Sequence, residues 1–423
     1  MQFPPEILSL SLQHLSKSDL KSARLVCKVY DGAAVPYLFR EVFLSINRAD
    51  LEATELIIRH FGIYVKKLSF SSVYYKAHGR NSFQQATRNQ IHGRPKDGCK
   101  ASHLQNAYQN HYRLREREEQ REDRESGMYL AYIIFALQSL PNLKRLILTD
   151  FGAGEISTEE QLRGRGFRHA VGVCPLTECK FRDIDHLQYQ VRPQSDFSHT
   201  AFSPWNVAML ALWSSRQTLK ELATLPTTSY LSLRCFEMGI RRPYSLCDIF
   251  QSLTNLRLDI CIGSQPGDTL GTRCYTNGYV SQALSAARNL EFLCLWANVA
   301  TESINYELIT IFQSLLGTCR FPKLRSLILN HTLDSKTWEE LAIKMRESLS
   351  SLKDIEVSCL YGGRPVTCRG GFNVPIVRVR DFFFRNGANP FSEQALLTHE
   401  VDGDEEAHED GTVGAEARYE RFH

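Results

Sequence analysis

Residues 290–298 read Leu-Glu-Phe-Leu-Cys-Leu-Trp-Ala-Asn, and this stretch decides the fold class. Its pattern is Leu-x-x-Leu-x-Leu-x-x-Asn, in which the later leucines alternate with other residues as the buried side chains of a strand do. The copies begin at Leu143, Leu253, Leu290, Leu324 and Leu352, with weaker copies at Leu176 and Leu219. Repetition of one strand pattern predicts a stack of similar units that share a continuous core.

The sequence between the copies predicts helices. The steps between Leu253, Leu290, Leu324 and Leu352 are 37, 34 and 28 residues, which is room for a strand and a helix. Apolar residues recur at helical spacing in residues 205–215, 244–252, 303–316 and 335–349. Alternating strands and helices predict an α/β fold with a parallel sheet. The alternative is a non-repetitive α/β domain with chance leucine runs.

The repeated pattern resembles leucine-rich repeats, although most steps exceed the usual ~20–29 residues. This resemblance implies an irregular solenoid whose leucines enter the core and whose intervening residues face a concave surface. Such a surface is the predicted substrate-binding face, with Ile147, Asp259 and Cys294 among its outward residues. The candidate substrate-binding residues are Arg145, Arg257, Phe292, Trp296 and Ile328. We expect the apolar ones to form an exposed patch, unless a terminal helix or loop covers them.

A second pattern occupies residues 3–30, which read FPPEILSLSLQHLSKSDLKSARLVCKVY. The two prolines suit the first turn of a helix, and apolar residues follow at three- and four-residue steps. Ser16 with Asp19 is typical of the start of a second helix. A third helix is predicted from Cys27 to Phe39, bent or ended by Pro36. So short a segment buries little surface, which favours a module that completes its core against a partner over a hairpin packed on its own domain.

The order and spacing of these residues resemble an F-box. That family's signature is Leu-Pro-x-Glu-Ile/Leu, then Ser-x-x-Asp-Leu, then Leu-Val-Cys and an aromatic. Three departures occur: Phe3 replaces the usual Leu, Ser11 stands where Ile is frequent, and Tyr30 replaces Trp or Phe. The resemblance implies docking on the adaptor subunit of a cullin-RING (SCF-type) ubiquitin ligase. The implied adaptor-binding residues are Phe3, Pro4, Ile7, Leu8, Leu12, Leu15, Leu20, Val26 and Cys27.

The chain divides by composition into five segments. The predicted segments are the F-box (1–44), a first strand–helix–strand unit (45–75), a polar insert with a charged helix (76–126), the leucine-rich-repeat-like domain (127–390) and an acidic tail (391–423). Residues 400–410 are acidic and include no apolar residues beyond Val401 and Ala407, so we expect the tail to be disordered. Residues 374–384 alternate and then become aromatic, which predicts a last strand or a capping element.

Composition argues against several other classes of protein. A net charge of +3 over 423 residues gives no argument for nucleic acid or a membrane surface. No apolar run approaches the ~20 residues that span a bilayer, and no secretory signal is visible. The 12 cysteines form no Cys-x-x-Cys pair, so we expect free thiols and a cytoplasmic or nuclear location.

No catalytic motif or metal-ligand grouping is present in the sequence. We therefore expect no enzymatic activity, no cofactor and no metal. The two resemblances together imply a substrate-recognition subunit like the fungal F-box receptors, with an unknown protein as its substrate. Two alternatives remain: an F-box scaffold acting outside a ubiquitin ligase, and an unrecognised α/β enzyme.

Overall fold

The structure is a computed structural model, and it describes twelve stretches of the chain. They are residues 4–45, 48–71, 73–75, 128–149, 191–193, 204–225, 231–232, 243–262, 279–299, 321–331, 335–359 and 376–390. The predicted polar insert, the helix at 303–316, the weak copy at Leu176 and the acidic tail lie outside the described residues.

The described elements are helices and short strands. The helices are α1 (Pro5–Leu12), α2 (Lys17–Ala23), α3 (Lys28–Leu38), α4 (Arg48–Phe61), α5 (Met128–Gln138), α6 (Pro204–Ser215), α7 (Pro243–Gln251), α8 (Tyr279–Ala286), α9 (Ser335–Ser348) and α10 (Ile376–Arg385), with a 3-10 turn at Gly62–Tyr64. The strands are β1 (Glu41–Ser45), β2 (Lys67–Ser71), β3 (Val73–Tyr75), β4 (Arg145–Thr149), β5 (Val191–Pro193), β6 (Glu221–Leu225), β7 (Leu231–Ser232), β8 (Asn255–Ile262), β9 (Phe292–Val299), β10 (Ser326–His331) and β11 (Asp354–Cys359).

The chain forms two compact units, and the first comprises Met1–Leu231 with Tyr244–Leu253. Its main strands run in the order β1-β2-β4-β6, and all of these pairs are parallel. A helix lies between successive strands, as parallel pairing requires. The short strands β3 and β5 pair antiparallel. The α/β class with a parallel sheet, predicted from the leucine pattern, is confirmed.

The second unit comprises Ser232–Pro243 with Thr254–His423. Its strands are again parallel and run in the order β8-β9-β10-β11. The register places Asn255, Phe292, Ser326 and Asp354 side by side. Helix α10 packs on the last strand, where Arg380 forms an ion pair with Asp354 at 2.6 Å. Within each unit, the order of these strands in the sheet follows their order along the chain.

The leucines of the repeated pattern are buried as predicted. The three apolar positions are occupied by Leu143, Leu146 and Leu148 in the first unit, and all of them are buried. Leu253, at the end of the first unit, is buried as well. The counterparts in the second unit are also buried, and they are Leu256, Leu258, Leu290, Leu293, Leu295, Leu324, Leu327, Leu329, Leu352, Ile355 and Val357. Each strand therefore presents one apolar face to the core.

One hydrogen-bonding arrangement recurs before the strands. The N–H of the first residue of a copy closes a tight turn, for example from Leu143 to the carbonyl of Leu140 at 3.1 Å. The next carbonyl accepts two N–H groups from the following copy: that of Lys66 accepts from Lys144 and Arg145 at 2.9 and 3.0 Å. These hydrogen bonds fix the register between neighbouring strands. Successive strands therefore begin at the same level in the sheet.

Two further copies lie where the alternation of apolar and polar residues predicts strands, and the leucine template misses them because they lack leucine at the first position. They are Phe39-x-x-Val-x-Leu44 and Val65-x-x-Leu-x-Phe70, and they supply β1 and β2. Gly62 begins the 3-10 turn before the second of them. A Cβ on Gly62 would lie 2.7 Å from the carbonyl oxygen of Ser139, so glycine is required by the close approach of the next turn.

Residues 376–385 form helix α10, so the predicted strand at 374–384 is wrong. Val379 and Phe382, three residues apart, are buried, which is the spacing of one helix face. The Val-Arg-Val-Arg alternation is too short to distinguish a strand from a helix. Contact between α10 and β11 keeps the other predicted role, a capping element, as an interpretation of this helix.

Candidate functional site

The N-terminal helices α1, α2 and α3 form a small module with a core of its own. Its members are Leu8, Leu12, Leu20, Ala34 and Leu38, all buried. The hydroxyls of Ser9 and Tyr37 lie 2.6 Å apart and join α1 to α3. The side chain of Ser16 accepts the Asp19 N–H at 3.1 Å and caps α2, as the sequence predicts. The residues of the module thus form a core without a partner.

Large apolar side chains remain on the outside of this module, and we call them the docking face. They are Ile7, Leu10, Leu15, Leu25, Val26 and Val29, with exposed fractions of 40% for Leu15 to 87% for Leu25. On α1 the division follows helical geometry. Ile7 and Leu10 share one face, while Leu8 and Leu12 share the opposite, buried face. The sequence therefore places apolar residues on both sides of α1, and only one side is needed for the core.

The predicted adaptor-binding residues fall into two groups. Leu8, Leu12 and Leu20 belong to the core and support the module from inside. The remainder are exposed: Pro4, Ile7, Leu15, Val26 and Cys27. Phe3 lies outside the described residues.

Leu10, Leu25 and Val29 belong to the docking face, and sequence analysis overlooked them. Leu10 lies three residues after Ile7, and that spacing marks one helix face. Leu25 and Val29 flank the predicted pair Val26 and Cys27. Their closeness in sequence to the predicted residues was the signal that could have identified them.

The module joins the sheet of the first unit through direct contacts. The rings of Phe39 and Phe61 stack with their centroids 4.0 Å apart. The guanidinium of Arg24 lies over the ring of Phe39 at 5.7 Å and pairs with Asp31 at 2.5 Å. Lys17 donates from Nζ to the carbonyl of Glu41, the first residue of β1, at 3.2 Å.

Charged side chains line the first position of the strands in the first unit. The register sets Glu41, Lys67, Arg145 and Glu221 in one row. Lys67 pairs with Glu41, and Arg145 with Glu221, each at 3.2 Å. The acids and bases of this row thus neutralise each other in pairs across neighbouring strands.

The environment of this row shifts three pKa values. Burial raises the pKa of Glu41, but the positive charges of Lys67 and Lys17 outweigh it, and the net pKa lies below its usual range. Burial lowers the pKa of Lys67 and that of Arg145, and the nearby carboxylates offset this only in part. Because Glu41, Lys67, Arg145 and Glu221 form ion pairs with one another, we assign them a structural role in holding neighbouring strands together.

The predicted substrate-binding residues are less accessible than expected. Arg257 is only 5% exposed and Asp259 2%, and the two form a buried ion pair at 3.3 Å. Ile147 and Cys294 are buried as well. The expectation that these residues face solvent is wrong, and burial of both faces is usual for parallel sheets.

The other predicted substrate-binding residues have mixed positions. Arg145 belongs to the ion-paired row and its side chain is 13% exposed. Phe292 and Ile328 are partly buried. Trp296 pairs with Asp259 and Asn330 across neighbouring strands, and its side chain lies outside the described residues. An exposed apolar patch of Phe292, Trp296 and Ile328 therefore stays a prediction.

Among the described residues, no group of three or more His, Cys, Asp or Glu side chains is placed to hold a metal ion. Three described cysteines are free thiols: Cys27 is exposed, Cys247 is half-buried and Cys294 is buried. Burial raises the pKa of the Cys247 thiol, and Asp248 adds to the shift. Within the part of the chain that the structure describes, no helix combines the length and apolar character needed to cross a membrane.

No protein-family model matches this sequence, and no curated protein is significantly similar to it.

Proposed function

We propose that the N-terminal module is an F-box and that the protein is the substrate-recognition subunit of an SCF-type ubiquitin ligase. The adaptor subunit would bind the docking face, and the leucine-rich-repeat-like α/β domain would hold a protein substrate. The protein would contribute no catalysis, since ubiquitin transfer belongs to other subunits. Its role would be to raise the effective concentration of the substrate near the ubiquitin-loaded enzyme.

One observation carries this proposal: the docking face stays exposed although the module already has a core. Full burial of a Leu, Ile or Val side chain contributes roughly 1.5–3 kcal/mol. Partial burial of the six side chains of the docking face would therefore stabilise a complex by several kcal/mol. Several large apolar side chains exposed on one small module are typical of a protein interaction site.

The position of the docking face supports the same proposal. Its residues lie within the stretch 3–30 that carries the F-box signature. Stacking of Phe39 on Phe61 of α4 and the hydrogen bond from Lys17 to Glu41 of β1 hold the module against the elements that follow it in the first unit. A partner bound at the docking face would consequently keep a defined position relative to the strands of that unit.

The test replaces an exposed residue of the docking face with a charged one. Val26→Asp should abolish adaptor binding in a pull-down of the full chain, because a charge would be buried in an apolar contact. Leu56→Asp is the matched control, since Leu56 on α4 is also an exposed apolar residue but lies outside the module. Both variants should melt at the temperature of the unchanged protein. Unchanged adaptor binding by Val26→Asp would refute the proposal.

A second experiment separates a ligase receptor from an F-box scaffold acting outside a ligase. Ubiquitylated proteins are compared between cells that carry the unchanged protein and cells that carry Val26→Asp. A receptor predicts proteins whose ubiquitylation falls in the variant, whereas a scaffold predicts adaptor binding without such a change.

A further inference from the structure

Four basic residues occupy adjacent positions just before the main strands of the first unit, and we call them the basic row. Arg40, Lys66, Lys144 and Lys220 each directly precede a main strand, and all four side chains are exposed. Hydrogen bonds link their backbones in order. The carbonyl of Arg40 accepts from Lys66 N–H, that of Lys66 from Lys144 N–H, and that of Lys144 from Lys220 N–H, at 2.8–2.9 Å.

Like charges at this spacing oppose folding. Neighbouring strands lie about 4.8 Å apart, and like charges directly opposite each other in a sheet are destabilising. Among the described residues, no ion pair involves Arg40, Lys66 or Lys144. The nearest carboxylates along the chain are those of Glu41 and Glu221. They form ion pairs with Lys67 and Arg145 instead. For Arg40, Lys66 and Lys144, ion pairing among the described residues therefore does not account for the positive charge.

The ends of the helices do not explain the row either. A cation near a helix C-terminus is favourable, and these residues follow α3, α4, α5 and α6. In the second unit the same backbone position is occupied by Thr254, Glu291, Arg325 and Lys353, which the same hydrogen bonds connect. Thr254 and Glu291 follow helices α7 and α8 without being cations. The position therefore tolerates neutral and acidic residues, and a continuous run of cations is a property of the first unit alone.

We infer that the basic row binds a short acidic peptide segment of a partner protein. Three strand intervals span about 14 Å, which matches four or five residues of extended chain at about 3.3 Å each. Four exposed cations attract clustered carboxylates over roughly the 8–10 Å Debye length of physiological salt. Under the proposed function, the substrates would be proteins with an acidic stretch. Only this identification of the substrate class rests on the proposed function.

The surroundings of the row favour an acidic peptide over nucleic acid. Single-stranded nucleic acid is bound through aromatic side chains on which bases stack. The residues that precede Lys66, Lys144 and Lys220 are Val65, Leu143 and Leu219, which are aliphatic and buried. Arg40 alone follows an aromatic residue, Phe39, whose ring already stacks on that of Phe61. The sequence pI is 8.2, below the value above 9 that is typical of nucleic-acid-binding domains.

The test measures binding of a fluorescent polyglutamate peptide to the full-length protein by anisotropy, with a polyglutamine peptide of equal length as the reference. Lys66→Glu with Lys144→Glu should weaken polyglutamate binding about tenfold or more, because two attractions become repulsions. The double variant Lys66→Gln with Lys144→Gln should lose less affinity and should melt no lower than the unchanged protein. Affinity of the unchanged protein should fall as salt is added.

The matched control is Arg325→Glu with Lys353→Glu, which makes the same change at the same backbone position of the second unit. This variant should keep the affinity for polyglutamate. Equal losses in both double variants, or no loss in either, would overturn the inference. Tighter binding of a single-stranded oligonucleotide than of polyglutamate, lost in Lys66→Glu with Lys144→Glu, would overturn it in favour of nucleic acid. Adaptor binding is measured in parallel, so failure here is distinguishable from failure of the proposed F-box.

Discussion

At the scale of single residues, the chain places similar side chains in opposite environments. Ile7 and Leu8 are adjacent and equally apolar, yet Leu8 belongs to the module's core and Ile7 is 48% exposed. The same holds for charge: Lys66 is exposed, whereas Lys67 beside it is buried and paired with Glu41. On helix α1 adjacent residues are turned by roughly 100° about the axis, and in extended chain adjacent residues point to opposite sides, so each contrast follows from the local backbone geometry. The function of each residue follows from its side of the element.

Glu41→Gln should destabilise the first unit near neutral pH, because Lys67 would keep its buried charge without its carboxylate partner. Glu41 is 43% exposed, so we expect a loss of about 1–3 kcal/mol, between the figures for exposed and buried pairs. The pKa of Glu41 is lowered by folding, so its stabilisation is complete above its ordinary pKa of 4.5 and is lost as the pH falls through the lower folded value.

Urea denaturation across a pH series measures this effect. The difference in stability between Glu41→Gln and the unchanged protein should be largest near neutral pH and should shrink below about pH 4.5. Glu291→Gln is the control, since Glu291 is exposed and has no ion pair among the described residues. A difference that grows as the pH falls would contradict the assigned role of Glu41.

At the scale of elements, helix α10 shows how packing selects between two local patterns. Residues 374–384 alternate like a strand, yet the chain forms a helix that buries Val379 and Phe382 and contacts β11. Arg346 of α9 lies 5.0 Å from the centre of the Phe382 ring. Arg380 pairs with Asp354, so the polar side of the helix is anchored to the strand too. An edge strand covered in this way is protected from pairing with other chains.

Phe382→Ala should destabilise the second unit by about 3–5 kcal/mol, the range for removing a buried aromatic ring. Phe384→Ala is the control, because Phe384 is 40% exposed and substitutions at exposed positions usually change stability by about 0.5 kcal/mol or less. The free energy of unfolding of both variants is measured by urea denaturation. Equal effects would show that α10 is not held through Phe382.

At the scale of the whole molecule, the chain repeats one arrangement, a parallel strand preceded by a tight turn and a helix, in two compact units. The repeat begins immediately after α3, since Arg40 takes part in the same hydrogen bonds as Lys66 and Lys144. The helical module is therefore continuous with the first repeat. Within each unit, neighbouring strand–helix repeats share a core, because one repeat alone cannot bury its apolar face.

Removal of the acidic tail should leave both units folded. A variant that ends at Leu397 should have the melting temperature of the full chain and should bind the adaptor equally well, because the acidic residues 400–410 include only Val401 and Ala407 as apolar residues. Thermal unfolding followed by circular dichroism measures this. A large drop in melting temperature would show that the tail contributes contacts to the fold.

The sequence by itself determined the α/β class, the strands that carry the leucine pattern, the leucines of the core and the cap of α2. These features depend on local periodicity and on residues a few positions apart, which a sequence displays directly. Only the tertiary structure decided that Arg257 is buried with Asp259, that α10 is a helix, that Ile7 is exposed beside Leu8, and that Arg40, Lys66, Lys144 and Lys220 stand in one row. Periodicity tells which side chains share a face, but distant parts of the chain decide what covers that face and which strands lie beside it.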